Sequence, residues 1–131
     1  MILLIDLLEE IQDNTQQAIN AINSISVEGI EKLVVSKITK PMDAIKIDTL
    51  MIKTEYQGKG VGKEVMNKIS EIADNYQVPL YLEAVPLGSK DEKGYTISPK
   101  YNANQLIFFY KKFGFELLKG GKRPVMIRKP K

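Results

Sequence analysis

Hydrophobic and polar positions divide the chain into helical and extended segments. Residues 2–25 carry apolar side chains at helical spacing, which predicts an amphipathic helix, or two helices with a break near Asp13. Residues 31–39 and 44–53 are rich in Val and Ile and are separated by a short turn that contains Pro41. These two segments predict two strands that form a hairpin.

The middle of the chain predicts a strand–helix–strand unit. Residues 57–62 form a glycine-rich turn after the strand at 44–53, and apolar side chains then recur on one helical face over 61–73. That apolar face is expected to pack in the core. Residues 80–85 predict a buried strand, which must run parallel to the strand at 44–53 because a helix connects them.

The last third of the chain predicts a polar connection, a helix and a second hairpin. Residues 86–102 are polar and long for a small domain, which is typical of lids and binding loops and equally of simple mobile loops. Residues 104–113 predict a helix that ends at Gly114. Residues 115–119 and 125–128 predict a closing hairpin.

Composition narrows the class of protein. The 131 residues are 44% hydrophobic and 27% charged, which predicts one globular domain over residues 1–131. The net charge of +3 is mild and the lysines are dispersed, so no nucleic-acid partner is expected. Cysteine and histidine are absent, so no metal is expected and the usual general base is missing. The apolar start is too short for a membrane span and lacks a signal peptide's basic region, so we expect a cytoplasmic protein without membrane association.

A glycine-rich segment is the first candidate for chemistry. Residues 57–62 read Gln-Gly-Lys-Gly-Val-Gly, between a predicted strand and a predicted helix. The glycines let the backbone approach a ligand closely, and a helix that begins there directs free N–H groups at it. The segment therefore predicts a site for a phosphate or pyrophosphate, although a glycine-rich turn alone is a weak signal. The P-loop and dinucleotide fingerprints are disfavoured, because their glycine spacings and the Gly-Lys-Ser/Thr ending are missing.

A second segment makes the pattern specific. Residues 109–115 read Phe-Tyr-Lys-Lys-Phe-Gly-Phe, and Gln57, Gly60 and Gly62 meet the pattern Gln-x-x-Gly-x-Gly. Together the two motifs resemble those of the GNAT superfamily of acyl-CoA-dependent N-acetyltransferases, over residues 44–128. The resemblance implies an α/β (α+β) fold, with a mixed β-sheet flanked by helices and central parallel strands splayed around the cofactor. It also implies transfer of an acetyl group from acetyl-CoA, as co-substrate, to a primary amine by direct attack.

The resemblance implies that main-chain groups hold most of the cofactor. The glycine turn would bind the pyrophosphate, and the strand before it would pair with the pantetheine arm. Lysines near the turn would add charge, or would simply be solvated. Asn104 would replace a cofactor-binding Asn that the family carries where Ala103 stands here, although a role as helix N-cap is the favoured alternative. The implied cofactor-binding residues are Leu50, Met51, Ile52, Gln57, Gly58, Lys59, Gly60, Val61, Gly62, Lys63 and Asn104.

Three residues are candidates for catalysis. By the resemblance, Tyr110 would protonate the departing sulfur; the alternative is an aromatic residue packed in the core. Asp48 and Glu83 are the carboxylates best placed to act as general base. Glu83 lies within an apolar strand, so burial is expected to raise its pKa toward a useful range. For each carboxylate, an exposed edge position or a structural salt bridge is the favoured alternative.

The chain departs from the family pattern at positions that would help to form the acceptor site. Lys46 stands where members often carry a glutamate. Only 43 residues precede Ala44, so we expect a trimmed or merged N-terminal region, with residues 1–5 as a residual first strand. Tyr95 and Tyr101 in the long polar stretch are then candidates for the missing wall of the acceptor site.

Two functional hypotheses follow from these observations. In the first, the chain is an active N-acetyltransferase acting on a small-molecule amine, a peptide or a protein. In the second, it is a catalytically degenerate GNAT domain that binds CoA or acts as an interaction module. The presence of both the glycine turn and Tyr110 favours the first hypothesis, an active enzyme. The lack of a clear general base favours the second hypothesis. The resemblance also allows a homodimer.

Overall fold

Helices and strands follow one another in the order that the sequence predicts, except that two short strands at 89–90 and 96–97 lie within the segment predicted as a polar connection. The computed structural model describes residues 4–85, 89–90, 96–97 and 102–131, with side chains described for 14–85 and 102–131. The elements are α1 (Leu4–Asn23), β1 (Ile30–Ile38), β2 (Ala44–Ile52), α2 (Val61–Asn75), β3 (Leu80–Glu83), β4 (Ser89–Lys90), β5 (Thr96–Ile97), α3 (Ala103–Lys111), β6 (Glu116–Lys119) and β7 (Val125–Arg128).

A five-stranded mixed sheet in the order β1-β2-β3-β7-β6 forms the centre of the structure. The β1–β2 and β6–β7 hairpins are antiparallel, and β2 runs parallel to β3, as the strand–helix–strand pattern requires. β3 also pairs antiparallel with β7, while β4 and β5 form a separate two-stranded ladder. The mixed sheet flanked by helices confirms the fold class expected from the sequence.

β2 and β3 pair over only a short part of their length. Their parallel register is confined to Ile45 with Leu80 and Lys46 with Tyr81, although β2 continues to Ile52. β3 uses its other edge to pair with β7 along its whole length. The two central strands therefore separate beyond Lys46 and leave a gap between them.

The core lies between the sheet and the helices α1 and α2. The apolar face predicted for α2 is buried, and Val65, Met66 and Ile69 are fully excluded from solvent. These side chains pack in one cluster with Ile45 of β2 and Leu80 of β3. Burial of a side chain of this size stabilises the fold by about 1.5–3 kcal/mol, so the helix face holds the strands that flank the gap.

The N-terminal region differs from two sequence-based expectations. α1 is one continuous helix over Leu4–Asn23, with no break near Asp13. Leu4 and Ile5 belong to this helix, so the prediction of a residual first strand over 1–5 is wrong for these two residues. A helix forms its backbone hydrogen bonds within itself and does not have to pair with a strand. Ala18, Ile19 and Ile22 pack this helix against the core. Residues 1–3, Tyr95 and Tyr101 lie outside the described residues.

Gly29 joins the start of β1 to the end of β2. Its carbonyl oxygen accepts a hydrogen bond of 2.7 Å from the Lys53 N–H, and its φ of +103° is one that L side chains rarely adopt. A Cβ added at Gly29 would lie 2.8–3.0 Å from the Cγ, Cβ and Cδ1 atoms of Tyr56. Those atoms lie near the Tyr56 backbone and cannot swing away as the far end of a flexible side chain would.

We expect Gly29→Ala to lower the free energy of unfolding by about 2–4 kcal/mol, because overpacking adds to the cost of positive φ. Gly121→Ala is the matched control, since Gly121 has a φ of +105° and no atom within 4 Å of an added Cβ. Only the backbone cost of about 1–2 kcal/mol remains there. Urea unfolding curves measure both values. Equal losses of unfolding free energy in the two variants would show that the contact of the added Cβ with Tyr56 does not contribute to the destabilisation.

Candidate active site

A cleft of about 1010 Å³ opens where β2 and β3 separate. It is lined mainly by β2, β3, the glycine turn with the start of α2, and α3, and also by Glu31 of β1 and Arg123. Among the predicted catalytic and cofactor-binding residues, all of which the structure describes, only Lys59 does not line the cleft. The structure thus brings together two motifs whose residues Gly60 and Tyr110 are separated by 50 positions.

The glycine turn lies at one end of the cleft and leads directly into α2. Gly58 and Gly60 have φ values of +80° and +82°, and Gly60 is the N-cap of α2. The N–H groups of Val61, Gly62 and Lys63 lie in the first turn of the helix and have no acceptor within it. Because these three residues line the cleft, this end of it presents backbone donors and the positive end of the helix dipole.

Side chains around the turn hold it against the sheet. The Gln57 side-chain amide donates a hydrogen bond of 3.3 Å to the carbonyl oxygen of Ile52, at the end of β2. Tyr56 donates its hydroxyl to Glu28, and this hydrogen bond raises the pKa of Tyr56. The Lys59 ammonium lies 5.7 Å from the centre of the Tyr56 ring.

Asn102 begins α3 and sets the position of its residues. Its side chain accepts a 2.9 Å hydrogen bond from the Gln105 N–H, and the Gln105 side chain accepts one of 2.8 Å from the Asn102 N–H. The N-cap is therefore Asn102, and the expectation that Asn104 caps this helix is wrong. Asn104 is exposed and lines the cleft, so its amide is free of a capping role.

Tyr110 lies on α3 and faces the cleft with its ring packed among other aromatic residues. Its ring centre is 5.3 Å from that of Phe109 and 5.8 Å from that of the buried Phe115, both in edge-to-face geometry. Burial raises the pKa of Tyr110 above its ordinary value. The phenol therefore stays protonated at neutral pH, as a proton donor must.

Charged residues surround the cleft where β2 and β3 begin to separate. The Glu83 carboxylate accepts a 2.7 Å hydrogen bond from Arg123 and lies 3.8 Å from the Lys46 ammonium. Lys46 also lies 3.9 Å from Asp48. The hydrogen bond from Arg123 lowers the pKa of Glu83, so the expectation that burial raises it is wrong. Glu83 is held in a salt bridge, as the alternative interpretation proposed.

Arg123 is a residue of the cleft that the motifs did not identify. It precedes β7, and the antiparallel register places its neighbour Val125 opposite Glu83. The predicted hairpin implied that β7 pairs with a neighbouring strand of the sheet. The sequence does not say which strand that is, so the position of Arg123 beside Glu83 could not be predicted. Arg123 also borders a smaller hollow of about 360 Å³ that includes Lys119 and Lys122.

No helix in the described part of the chain is long and apolar enough to cross a membrane. No group of three or more acidic, histidine or cysteine side chains there is arranged to hold a metal ion.

Comparison with known proteins gives a clear family match. The sequence profile of the acetyltransferase (GNAT) domain matches residues 16–117. No curated protein matches the chain.

Solved structures of other proteins have a similar fold. The anti-CRISPR protein AcrVA5 is 24% identical with a TM-score of 0.54, over 79% of this chain and 93% of that one. The structure of a histone acetyltransferase HPA2 and related acetyltransferase from Corynebacterium glutamicum is 17% identical, with a TM-score of 0.52 over 75% of this chain. PH1933 from Pyrococcus horikoshii is 20% identical, with a TM-score of 0.51 over 76% of this chain. The match covers 48% and 57% of these last two chains, and all three similarities establish the fold alone.

Proposed function

Because the chain belongs to the GNAT acetyltransferase family, we propose that it transfers an acetyl group from acetyl-CoA to a primary amine. The acceptor is an amine of a small molecule, a peptide or a protein. One observation carries the proposal: a single cleft holds a helix N-terminus suited to a pyrophosphate at one end and a partly buried, protonated tyrosine on its wall. The residues of both motifs therefore act on the same ligand.

The residues of the cleft fit coenzyme A. Its pyrophosphate carries the negative charge that free N–H groups at a helix start bind best. β2 loses its pairing with β3 beyond Lys46, so the backbone groups of Leu50, Met51 and Ile52 on that side have no partner strand within the sheet. The amides of a pantetheine arm supply the missing hydrogen bonds. A cleft of about 1010 Å³ is also large enough for an extended ligand.

Tyr110 supplies the proton that the reaction requires. When the acceptor amine attacks the acetyl carbonyl, a backbone N–H of β2 stabilises the charge on the oxygen. The Tyr110 hydroxyl then protonates the departing sulfur. Burial raises the pKa of Tyr110, so the phenol still holds its proton at neutral pH when the sulfur departs beside it.

Asp48 is the better candidate for the general base. Glu83 is bound by Arg123, and its lowered pKa weakens it as a proton acceptor. Asp48 lines the same cleft and has only the longer contact of 3.9 Å with Lys46. We therefore assign Asp48 to remove the proton from the acceptor amine, directly or through a water molecule, with Glu83 as the alternative.

A catalytically inactive CoA-binding domain is the second candidate function. The observation that favours it is that the carboxylates of Asp48 and Glu83 both have cationic neighbours. Thiol release from acetyl-CoA, measured with a panel of amines and peptides, separates the two functions. Acceptor-dependent release supports the transferase. Binding of acetyl-CoA without release above background for any acceptor supports the binding domain.

Gly60→Ala is expected to weaken acetyl-CoA binding about tenfold, because Ala at a φ of +82° strains the turn and displaces its N–H groups. Gly121→Ala is again the matched control, with a similar backbone cost outside the glycine turn. Isothermal titration with acetyl-CoA gives the Kd of each variant. An equal loss of affinity in both variants would mean that the effect is general destabilisation and not the loss of a pyrophosphate site.

A further inference from the structure

Lys46 is a primary amine that the fold holds inside the cleft. It is the last residue of β2 that pairs with β3, so it lies at the point where the two strands begin to separate. Its side chain is 31% exposed, and its ammonium lies 3.8 Å from Glu83 and 3.9 Å from Asp48. The two carboxylates hold the amine at the narrow end of the gap between the strands.

Lys46 differs from the other lysines of the cleft. Among the described residues, the lysines that line it are Lys46, Lys63 and Lys112. Lys63 lies at the glycine turn, and the Lys112 ammonium lies over the ring of the exposed Phe108 at 5.2 Å from its centre. Among the residues whose side chains the structure describes, neither has a carboxylate within salt-bridge distance, and Lys46 alone of these three has a proton acceptor beside it.

We propose that Lys46 is an acceptor of the acetyl group, so that the chain acetylates itself at this position. The proposal rests on the proposed function, in which the thioester lies in the gap between β2 and β3. An amine at the narrow end of that gap is at high effective concentration relative to any acceptor from solution. It is oriented by two contacts before the reaction begins.

The step balances with groups that the cleft contains. The Lys46 ammonium gives a proton to the carboxylate of Asp48 or Glu83, and the free amine attacks the acetyl carbon. The N–C bond forms and the C–S bond breaks, the sulfur leaves with the bonding electron pair and takes the Tyr110 proton, and the nitrogen, cationic after the attack, releases its second proton to water. The products are Nε-acetyl-Lys46 and the CoA thiol, and Tyr110 and the carboxylate recover their ordinary protonation states by exchange with water.

Acetylation of Lys46 changes the charge of the acceptor end of the cleft. Before the reaction, the cations Lys46 and Arg123 face the carboxylates Asp48 and Glu83. Acetyl-lysine is neutral, so one cation is removed and both carboxylates lose a favourable neighbour. The modified cleft is more negative and binds a protonated amine better, so the modification also sets the affinity for an external acceptor.

The test follows the acetylation of individual lysines with time after acetyl-CoA is added to the full chain. Peptide mapping by mass spectrometry gives the rate at Lys46, at Lys112 and at Lys37, which is exposed on β1. We expect Lys46 to react at least about tenfold faster than the other two, at a rate independent of protein concentration. Tyr110→Phe is expected to slow Lys46 by about tenfold or more and to leave Lys37 unchanged.

Two results would overturn the proposal. One is a Lys46 rate no higher than that of Lys37, and the other is equal sensitivity of the two lysines to Tyr110→Phe. Thiol release with added amines in the same samples keeps the two hypotheses apart. Transfer to an added amine while Lys46 stays unmodified rejects self-acetylation and leaves the proposed function intact, whereas failure to bind acetyl-CoA rejects both. Lys46→Arg, which keeps the cation and removes the nucleophile, must abolish the fast modification.

Discussion

Tyr110→Phe is expected to lower the kcat of acceptor-dependent thiol release by about tenfold or more. The substitution keeps the ring that packs against Phe109 and Phe115, and it removes only the hydroxyl. Without that hydroxyl the sulfur leaves as an unprotonated thiolate, so the transition state loses a stabilising proton. Substrate binding does not depend on that proton and is unchanged. The KM for acetyl-CoA should therefore change much less than kcat.

The matched control for this experiment is Tyr76→Phe. Tyr76 is also partly buried against the core but lies at the C-terminal end of α2, outside the cleft. Its substitution should leave kcat within about twofold of the parent value. Equal losses in the two variants would indicate a structural effect of removing any partly buried tyrosine hydroxyl. An unchanged kcat in Tyr110→Phe would remove Tyr110 from the mechanism.

The salt bridge between Asp74 and Arg128 is expected to have a large effect on stability. Arg128 is 3% exposed, and its guanidinium donates two hydrogen bonds of 2.8 and 2.9 Å to Asp74. It also donates one of 2.6 Å to the carbonyl oxygen of Phe113, so this one side chain joins β7, α2 and the end of α3. Removing the carboxylate leaves a buried charge without its partner.

Asp74→Asn should accordingly lower the free energy of unfolding by about 3 kcal/mol, measured by urea unfolding at pH 7. Arg123→Gln is the control, because the Arg123 side chain is 73% exposed in its salt bridge with Glu83. An exposed pair contributes about 1 kcal/mol or less. Similar losses from both substitutions would mean that burial does not decide the strength of these pairs.

The same salt bridge predicts how stability depends on pH. The hydrogen bonds from Arg128 hold the pKa of Asp74 below its usual value. Since the pKa is lowered in the folded state, the stabilisation is fully present above the unfolded pKa of about 4 and is lost as pH falls through the folded value. The difference in unfolding free energy between the parent chain and Asp74→Asn should have its maximal value at pH 7 and decrease below about pH 4.

Periodicity and turn residues were sufficient to predict most of the elements. The helix stripe containing Val65, Met66 and Ile69 is buried as expected, because a 3.6-residue period places these side chains on one face wherever the helix packs. The parallel pairing of β2 and β3 followed from the helix between them. The continuity of α1 did not follow, because the polar residues around Asp13 are equally compatible with a helix and a break.

The N-cap of α3 is encoded in the local sequence, but the prediction assigned it to the wrong residue. Asn102 and Asn104 are both reasonable caps by residue type. The glutamine three positions after Asn102 completes a capping box, which identifies Asn102 from the sequence alone. Asn104 is thereby left as a cleft residue, and its contact with the cofactor stays a prediction.

The charge state of Glu83 shows what local sequence cannot contain. Within its strand, Glu83 is an isolated carboxylate among apolar residues, and burial alone would raise its pKa. Arg123 lies 40 positions away and reaches Glu83 only because β7 pairs with β3. The guanidinium reverses the direction of the pKa shift, and this favours Asp48 over Glu83 as the proposed base.

By itself the sequence determined the order of the elements, the two hairpins, the buried helix face and the two motifs of the cleft. These features depend on side-chain period, turn residues and backbone freedom, which act over a few neighbouring positions. The tertiary structure alone decided that Lys46 lies between two carboxylates, that Arg123 binds Glu83, and that Arg128 is buried against Asp74, 54 positions away. Coulombic and desolvation energies depend on distances in space, and those distances exist only after the strands have paired.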